Sequence, residues 1–488
     1  MYDKQRLLED MVNVVNNGIA EHESENEQEY MKNFLPIPSH QRAMDPSILL
    51  VLGGRGAGKS MLFKSLSIQS ARRLVRKNNE IKNEFWIPGF GQFDIHLKFP
   101  AQESIEKALE GASNYRLRSF WQGLWVGTLL KSEYGEEFVD YFDKIPSEAL
   151  RKLNQSFISV QEWLPIVEEN FDLLTDALDQ IDDVLKKTDR WIYIAYDELD
   201  KLATSYDALA APIRELLAFW LDRWRRWQRI RPKIFLRNDL FNSKFLKFPD
   251  ASKLKPHQLQ LEWTTSWLYR LLIKRLANAS EEMKIYISNI NGIITDEDKN
   301  LGYIPSSDDK LHQEFMVQLV GRFMGANARK GDSYKWVPNH LQDAGKKIAP
   351  RSFLKLFANA AVIELNRFDE SLLLGERLLQ PQSLQGALME TSNDRIAELA
   401  EEYPWLDSLR RTLYGITVPS EREILLQAVE NAKWNLKEFP PVEDPGELLE
   451  YMKSLGILEN RTDGRVNMPE IYLYGFKMKR KGGVRRPN

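Results

Sequence analysis

The sequence predicts an α/β fold organised around a parallel sheet. Three observations point there. Short, mainly apolar runs at residues 47–52, 191–196 and 233–236 read as strands buried on both faces, which parallel sheets require. Helical spacing of apolar residues fills the stretches between them, so the order is strand, helix, strand, helix. A glycine-rich loop joins the first strand to the helix after it. Around the sheet the pattern predicts a helical insertion, a helical lid and a C-terminal winged-helix-like module.

Composition narrows the chemistry. The 488 residues suit about three domains. Lys plus Arg is 67 and Asp plus Glu is 70, a net charge of −3, which excludes a globally basic nucleic-acid coat but not a local basic patch. With no cysteine, disulfides, thiol catalysis and Cys-based metal sites are excluded. The six histidines are scattered without an HxxxH-type pair. No apolar run approaches the roughly 18 residues of a membrane span. The N-terminus, MYDKQRLLEDMVNVV, has no basic segment ahead of an apolar one, so no signal peptide is read and a cytoplasmic setting without membrane contact is expected.

Residues 1–46 read as an N-terminal arm and linker. Leu7, Leu8, Met11, Val14 and Val15 give helical spacing over 4–20. Glu21, Glu23, Glu25, Glu27 and Glu29 then mark a solvated acidic linker or helix face. Pro36, Pro38 and Pro46 precede the first strand. Residues 47–264 read as the α/β core. It is helical from Met61 to about Arg76 and extended over 84–99, where Phe93, Ile95 and Leu97 alternate. The helical insertion spans about 100–187, with Trp121, Leu124, Trp125, Trp163, Leu164, Leu173 and Leu174 as core anchors. A helix follows from Ala211 to Ile230, with Pro212 in its first turn and an Arg/Trp-rich end, and 258–263 reads as a fourth strand. Residues 265–375 form the helical lid, with helices at 265–278, 309–323 and 351–367. Residues 376–488 carry helices at 382–402, 421–433 and 446–456, then a hairpin over 457–474 around the turn Thr462-Asp463-Gly464. That end reads as winged-helix-like and closes on a basic tail.

The strongest chemical signal is Gly53-Gly54-Arg55-Gly56-Ala57-Gly58-Lys59-Ser60, which satisfies G-x-x-x-x-G-K-[ST] with a strand before it and a helix, from Met61, after it. Glycines let successive N–H groups aim at phosphate oxygens, and the helix N-terminus adds positive field. Lys59 supplies a point charge for the β- and γ-phosphates, and Ser60 a hydroxyl for Mg²⁺. The strand at 191–196 ends in Asp197-Glu198. Asp197 suits the metal, through water, and Glu198 suits the general base that activates an attacking water. Asp200 is a weaker candidate. At the end of the third strand, Arg237 and Asn238 suit γ-phosphate sensing, while Asp239 suits capping of the next turn. Arg351, in Ala349-Pro350-Arg351-Ser352, opens a lid helix from which it can reach nucleotide bound between core and lid. No N-K-x-D guanine-reading motif stands out, which leaves ATP as the expected nucleotide.

Together these residues resemble the ASCE branch of P-loop NTPases. The runs DELDKL and FLRND, the Pro-Arg lid motif and the C-terminal module resemble the AAA+/STAND group related to Orc–Cdc6 ATPases. Four further stretches, YKWVPNHLQDAGKKIAPRSFLKLF, SNDRIAELAEEYPWL, DGRVNMPEIYLYGF and KRKGGVRRP, resemble a bacterial P-loop ATPase family found in defence-like loci. The resemblance implies ATP and Mg²⁺ as cofactors, a switch role and a setting in genome defence. The long insertion departs from simple AAA+ cores. The expected partner is a protein effector or a second copy of the chain. DNA or RNA is an alternative ligand for the tail, through Lys477, Lys479, Arg480, Lys481, Arg485 and Arg486. An Orc-like DNA-binding ATPase and a non-catalytic nucleotide-binding scaffold are the competing readings.

Overall fold

The computed structural model describes residues 3–15, 27–76, 83–91, 98–155, 157–204, 206–241, 251–367, 377–435 and 439–482. The predicted alternation of Phe93, Ile95 and Leu97, the acidic Glu21, Glu23 and Glu25, and the tail residues Arg485 and Arg486 lie outside the described residues. Two compact units make up the chain. A sheet unit comprises Pro36–Gly54 and Gly58–Leu261, and a helical unit comprises Met1–Leu35, Arg55–Ala57 and Glu262–Asn488.

The sheet unit holds five strands, β1 (Leu50–Gly53), β2 (Glu84–Phe90), β3 (Trp191–Tyr196), β4 (Ile230–Arg237) and β5 (Gln258–Gln260), in the order β2-β3-β4-β1-β5. Every pairing is parallel, with Leu50 opposite both Ile234 and Gln258, and Ile194 opposite Ile87 and Pro232. The segments that follow β1, β3 and β4 therefore emerge at one edge of the sheet, the edge where open α/β folds bind ligands. β4 is longer than the run at 233–236 suggests. Lys233 is fully buried within it, and its ammonium donates to the carbonyls of Ile48 (2.7 Å) and Asp45. Burial pulls the Lys233 ammonium well below its usual pKa.

The insertion is helical, as predicted. Its helix Asn114–Lys131 starts at the Ser113 cap and is buried on nearly all sides. Trp121, Leu124, Trp125, Trp163, Leu164 and Leu174 are core residues. Leu173 is not, being 37% exposed. The buried stripe of helix Phe171–Lys187 runs through Leu174, Leu178, Ile181 and Leu185, and Leu173 sits one residue off it. The next helix, Tyr206–Arg226, starts earlier than expected and stops sooner. Pro212 lies inside it, and its carbonyl accepts the Trp121 indole N–H at 2.8 Å. Its Arg/Trp end is committed within the unit. Trp220 and Trp227 are buried, Arg226 pairs with Asp179, Arg229 lies 4.5 Å over Trp191, and Arg231 lies 4.4 Å over Trp224.

One carboxylate ties the insertion to the sheet. Asp182, 5% exposed, accepts the backbone N–H groups of Gln228, Arg229 and Ile230 at 2.7–3.0 Å, where the chain enters β4. Asp182→Ala would leave these donors without their acceptor. We expect it to destabilise the protein by about 2–4 kcal/mol in chemical denaturation, against about 0.5 kcal/mol or less for Asp183→Ala on the exposed side. Equal effects of the two would refute the anchoring role.

In the helical unit, Thr265–Ala277, Asp309–Leu319, Pro350–Asn366, Pro381–Glu402, Arg422–Glu430 and Pro445–Ser454 form the helices that the spacing predicts. The N-terminal helix Lys4–Val12 packs on Pro350–Asn366. A hairpin, β6 (Ile294–Asp298) with β7 (Gly302–Pro305), interrupts the stretch expected to be helical. Its first strand is polar and exposed, so it carries no apolar alternation. Lys274 anchors it by donating to the carbonyls of Leu301 and Tyr303. Near the C-terminus, β8 (Thr417–Val418) precedes the predicted Asp-Gly hairpin, which forms from β9 (Glu459–Asn460) and β10 (Val466–Asn467). The hairpin does not extend to Tyr474, because Glu470–Leu473 turns helical behind Pro469. β11 (Lys479–Arg480) pairs in parallel with β8. Among the described residues no helix is long and apolar enough to cross a membrane.

Candidate phosphate-binding site

β1 ends at Gly53, and the helix Lys59–Ser67 begins six residues later. Gly56 (φ 74°) and Gly58 (φ 92°) take left-handed conformations that side chains disfavour. Two reversals in so few residues turn the loop and present the backbone N–H groups of the helix start. Lys59, 8% exposed, folds back over the loop and donates to the carbonyls of Gly53 (2.8 Å) and Gly54 (3.0 Å). Ser60 and Met61 follow in the first turn, both half-buried.

The acidic pair leaves β3 at the same sheet edge. The Asp197 N–H donates to the Phe90 carbonyl at 3.0 Å, which fixes the residue as the strand ends. Its carboxylate is buried, with Ser60 and Lys59 close enough to pull its pKa down. The fold thus brings the loop helix to the end of β3. Burial pushes the Asp197 carboxyl up to about 6, against the pull of the Ser60 hydroxyl and the Lys59 charge. Its Oδ2 is buried with no hydrogen-bond partner. An orphaned carboxylate oxygen beside a serine hydroxyl is a donor set of hard oxygens, and it fits Mg²⁺.

Glu198 sits one residue on, in a left-handed conformation (φ 54°, ψ 33°) that is uncommon outside glycine. Its Oε1 accepts the Lys201 ammonium at 2.7 Å, and the side chain is 26% exposed. Arg237, at the end of β4, is gripped by Asp239 through Nε (3.1 Å) and Nη2 (2.8 Å) and by Asp200 through Nη1 (3.2 Å). Asp239, expected as a turn cap, is thus the arginine's main partner, and Asn238 beside it is exposed.

Arg55, Gly56 and Ala57 belong to the helical unit. The Arg351 N–H meets the Gly56 carbonyl at 3.5 Å, and the Arg351 guanidinium lies 3.8 Å from Glu398. A Cβ on Gly56 would stand 3.0 Å from that of Arg351, so the loop and this helix start are in close contact. The Arg55 guanidinium pairs with Glu401. Trp263 donates to the Ala57 carbonyl at 2.9 Å, and Arg395 to the Arg55 carbonyl at 3.4 Å. Sequence reasoning missed Trp263, Arg395 and Glu398. Arg395 and Glu398 fall within the quoted stretch SNDRIAELAEEYPWL, but nothing in it gives either a role, because each acts through its place in the fold. Of the tail cations, Arg480 is bound at 3.0 Å to Glu470 and donates to the Met468 carbonyl.

A parallel sheet with a glycine loop behind one strand and a buried aspartate behind another defines the P-loop NTPase fold. Neither a family model nor a curated protein matches the sequence. Among solved structures the chain is similar to the Walker-type ATPase PABY2304 of Pyrococcus abyssi, with 14% identity, a TM-score of 0.37, and 90% of this chain and 95% of that chain covered. It is also similar to Cdc6p from Pyrobaculum aerophilum, with 13% identity, a TM-score of 0.28, and 88% and 86% covered. For the ORC2 protein of Aeropyrum pernix, in ADPNP–ADP complexes, the values are 11%, 0.28, 88% and 86%.

Proposed function

We propose that the protein is a Mg²⁺-dependent ATP hydrolase that works as a conformational switch. The observation that carries this reading is the buried Asp197 carboxylate with its unpartnered Oδ2, at the same sheet edge as the glycine loop whose carbonyls Lys59 caps. The loop N–H groups and Lys59 bind the phosphates. Ser60 and Asp197 would hold Mg²⁺, which would supply positive charge to the phosphates. Glu198 takes a proton from water as the water oxygen bonds to the γ-phosphorus, and the bond to ADP breaks. Arg237 and Asn238 sense the γ-phosphate from the end of β4, and Arg351 contributes from its helix start. The effector is a protein or a second copy of the chain in the cytoplasm. The sequence resemblance to proteins of defence-like loci supports a genome-defence setting.

The test is phosphate release from ATP by the full chain. Release should need Mg²⁺ and fall to background in excess EDTA. Release that persists in EDTA would remove the metal from the reading. A chain that neither binds nor cleaves ATP would end the reading.

A further inference from the structure

Within the helical unit, three successive loop carbonyls each meet a donor. Arg395 Nη1 reaches Arg55 at 3.4 Å, the Arg351 N–H reaches Gly56 at 3.5 Å, and Trp263 Nε1 reaches Ala57 at 2.9 Å. A loop that turns its N–H groups toward an anion turns its carbonyls the other way, and buried carbonyls need donors. These contacts therefore help to hold the loop in its anion-binding orientation. Of the three, Arg395 has a further connection. Its side chain, 13% exposed, also pairs with Glu398 at 3.4 Å and lies against the Tyr472 side chain. Tyr472 is buried in the C-terminal helix Glu470–Leu473.

That C-terminal helix has little room to move independently. Just past it, the Gly475 N–H donates to the Ser392 hydroxyl at 2.8 Å, one turn before Arg395 on helix Pro381–Glu402. A Cβ on Gly475 would fall 2.4 Å from Ile396 and 2.7 Å from the Ser392 carbonyl. Any shift of the C-terminal helix must therefore displace the Arg395 turn. Glu398 extends the network to Lys355 at 3.3 Å and Arg351 at 3.8 Å, both on helix Pro350–Asn366. One buried arginine thus touches a loop carbonyl, the helix network and the C-terminal tyrosine.

We propose that Arg395 is a positioning residue for the phosphate loop, and that it relays the state of the C-terminal module to the loop through Tyr472. This deepens the nucleotide-binding reading above and rests on it. Because coupling between two sites is reciprocal, nucleotide at the loop would bias the C-terminal module in turn. The module that a partner engages would in this way set how well the loop grips phosphate.

The test uses the full chain with Arg395→Met, Arg395→Lys, Tyr472→Phe and the double variant Arg395→Met/Tyr472→Phe. Two measurements are made: hydrogen exchange of the 53–60 amides without nucleotide, and KM and kcat for ATP. Arg395→Met and Tyr472→Phe should each speed loop-amide exchange and raise KM by about tenfold, the scale of one charge-assisted hydrogen bond, with kcat little changed. The double variant should be no worse than Arg395→Met, and Arg395→Lys should restore part of the loss. Unchanged exchange and KM in Tyr472→Phe would overturn the relay, whatever happens to melting temperature. Should Arg395→Met fail to fold, Tyr472→Phe, which removes a single oxygen, decides the matter. A wild-type chain that ignores ATP would end the functional reading, and loop exchange alone would then judge the relay.

Discussion

Glu198→Gln should slow phosphate release from ATP by about 10²–10⁴-fold, the usual contribution of a general base, while leaving ATP affinity nearly unchanged. The argument starts from the backbone. A glutamate held at φ 54° is in a conformation that costs about 1–3 kcal/mol and persists only where the surroundings impose it. Here the imposing elements are the end of β3 and the short turn Leu199–Leu202. That backbone places Glu198 directly after Asp197, with one carboxylate oxygen on Lys201. Glutamine keeps the length and an acceptor but cannot take a proton from water. Losing the ion pair with Lys201, itself 58% exposed, should change stability by less than about 1 kcal/mol. A slow variant with normal melting and normal ATP binding therefore isolates the chemical step. Equal rates for Glu198→Gln and wild type would remove Glu198 from the mechanism. In ATP the same variant should accumulate the bound state, which makes it the form with which to seek the partner.

Lys59→Ala should weaken ATP binding by about 100-fold or more, near 3 kcal/mol, as read by calorimetric titration. The ammonium is nearly buried at the start of the loop helix, where both the helix field and the first-turn N–H groups favour an anion. Poor solvation strengthens its attraction for phosphate relative to a surface lysine. Its removal takes charge from the phosphates and from Asp197, and leaves the Gly53 and Gly54 carbonyls without their donor. Arg73→Ala, an exposed cation on the following helix Gln69–Val75, is the control and should leave affinity unchanged. If the two variants bind ATP alike, the loop is not the phosphate site. The two tests separate binding from chemistry: Lys59 acts on the first, Glu198 on the second.

Several parts of the fold were legible because their causes are local. The strand at 191–196 is apolar throughout and needs burial on both faces, so its type could be read from seven or fewer neighbours in sequence. Elsewhere the local signal pointed the wrong way. Leu173 is as apolar as Leu174, but it sits one residue off the stripe through Leu174, Leu178, Ile181 and Leu185 that faces the core. The strand Ile294–Asp298 is polar because its middle residues are all exposed, and its partner strand is held by Lys274 from helix Thr265–Ala277. The Arg/Trp segment has no face that the sequence assigns; in the structure its arginines stack on Trp191 and Trp224 and pair with Asp179. In each case the deciding contact lies far along the chain.

The proposed nucleotide chemistry was legible in the sequence, because a phosphate loop would use consecutive backbone N–H groups, glycines and one lysine, all within the eight residues 53–60. Which partner each side chain takes is another matter. That Ser60 lies near Asp197, that Arg237 is gripped by Asp239 and Asp200, and that Arg395 reaches the Arg55 carbonyl all depend on packing between segments remote in sequence. Parallel pairing brings strand ends to one edge only once long crossovers have closed. No local pattern carries that information, so it belongs to the tertiary structure alone.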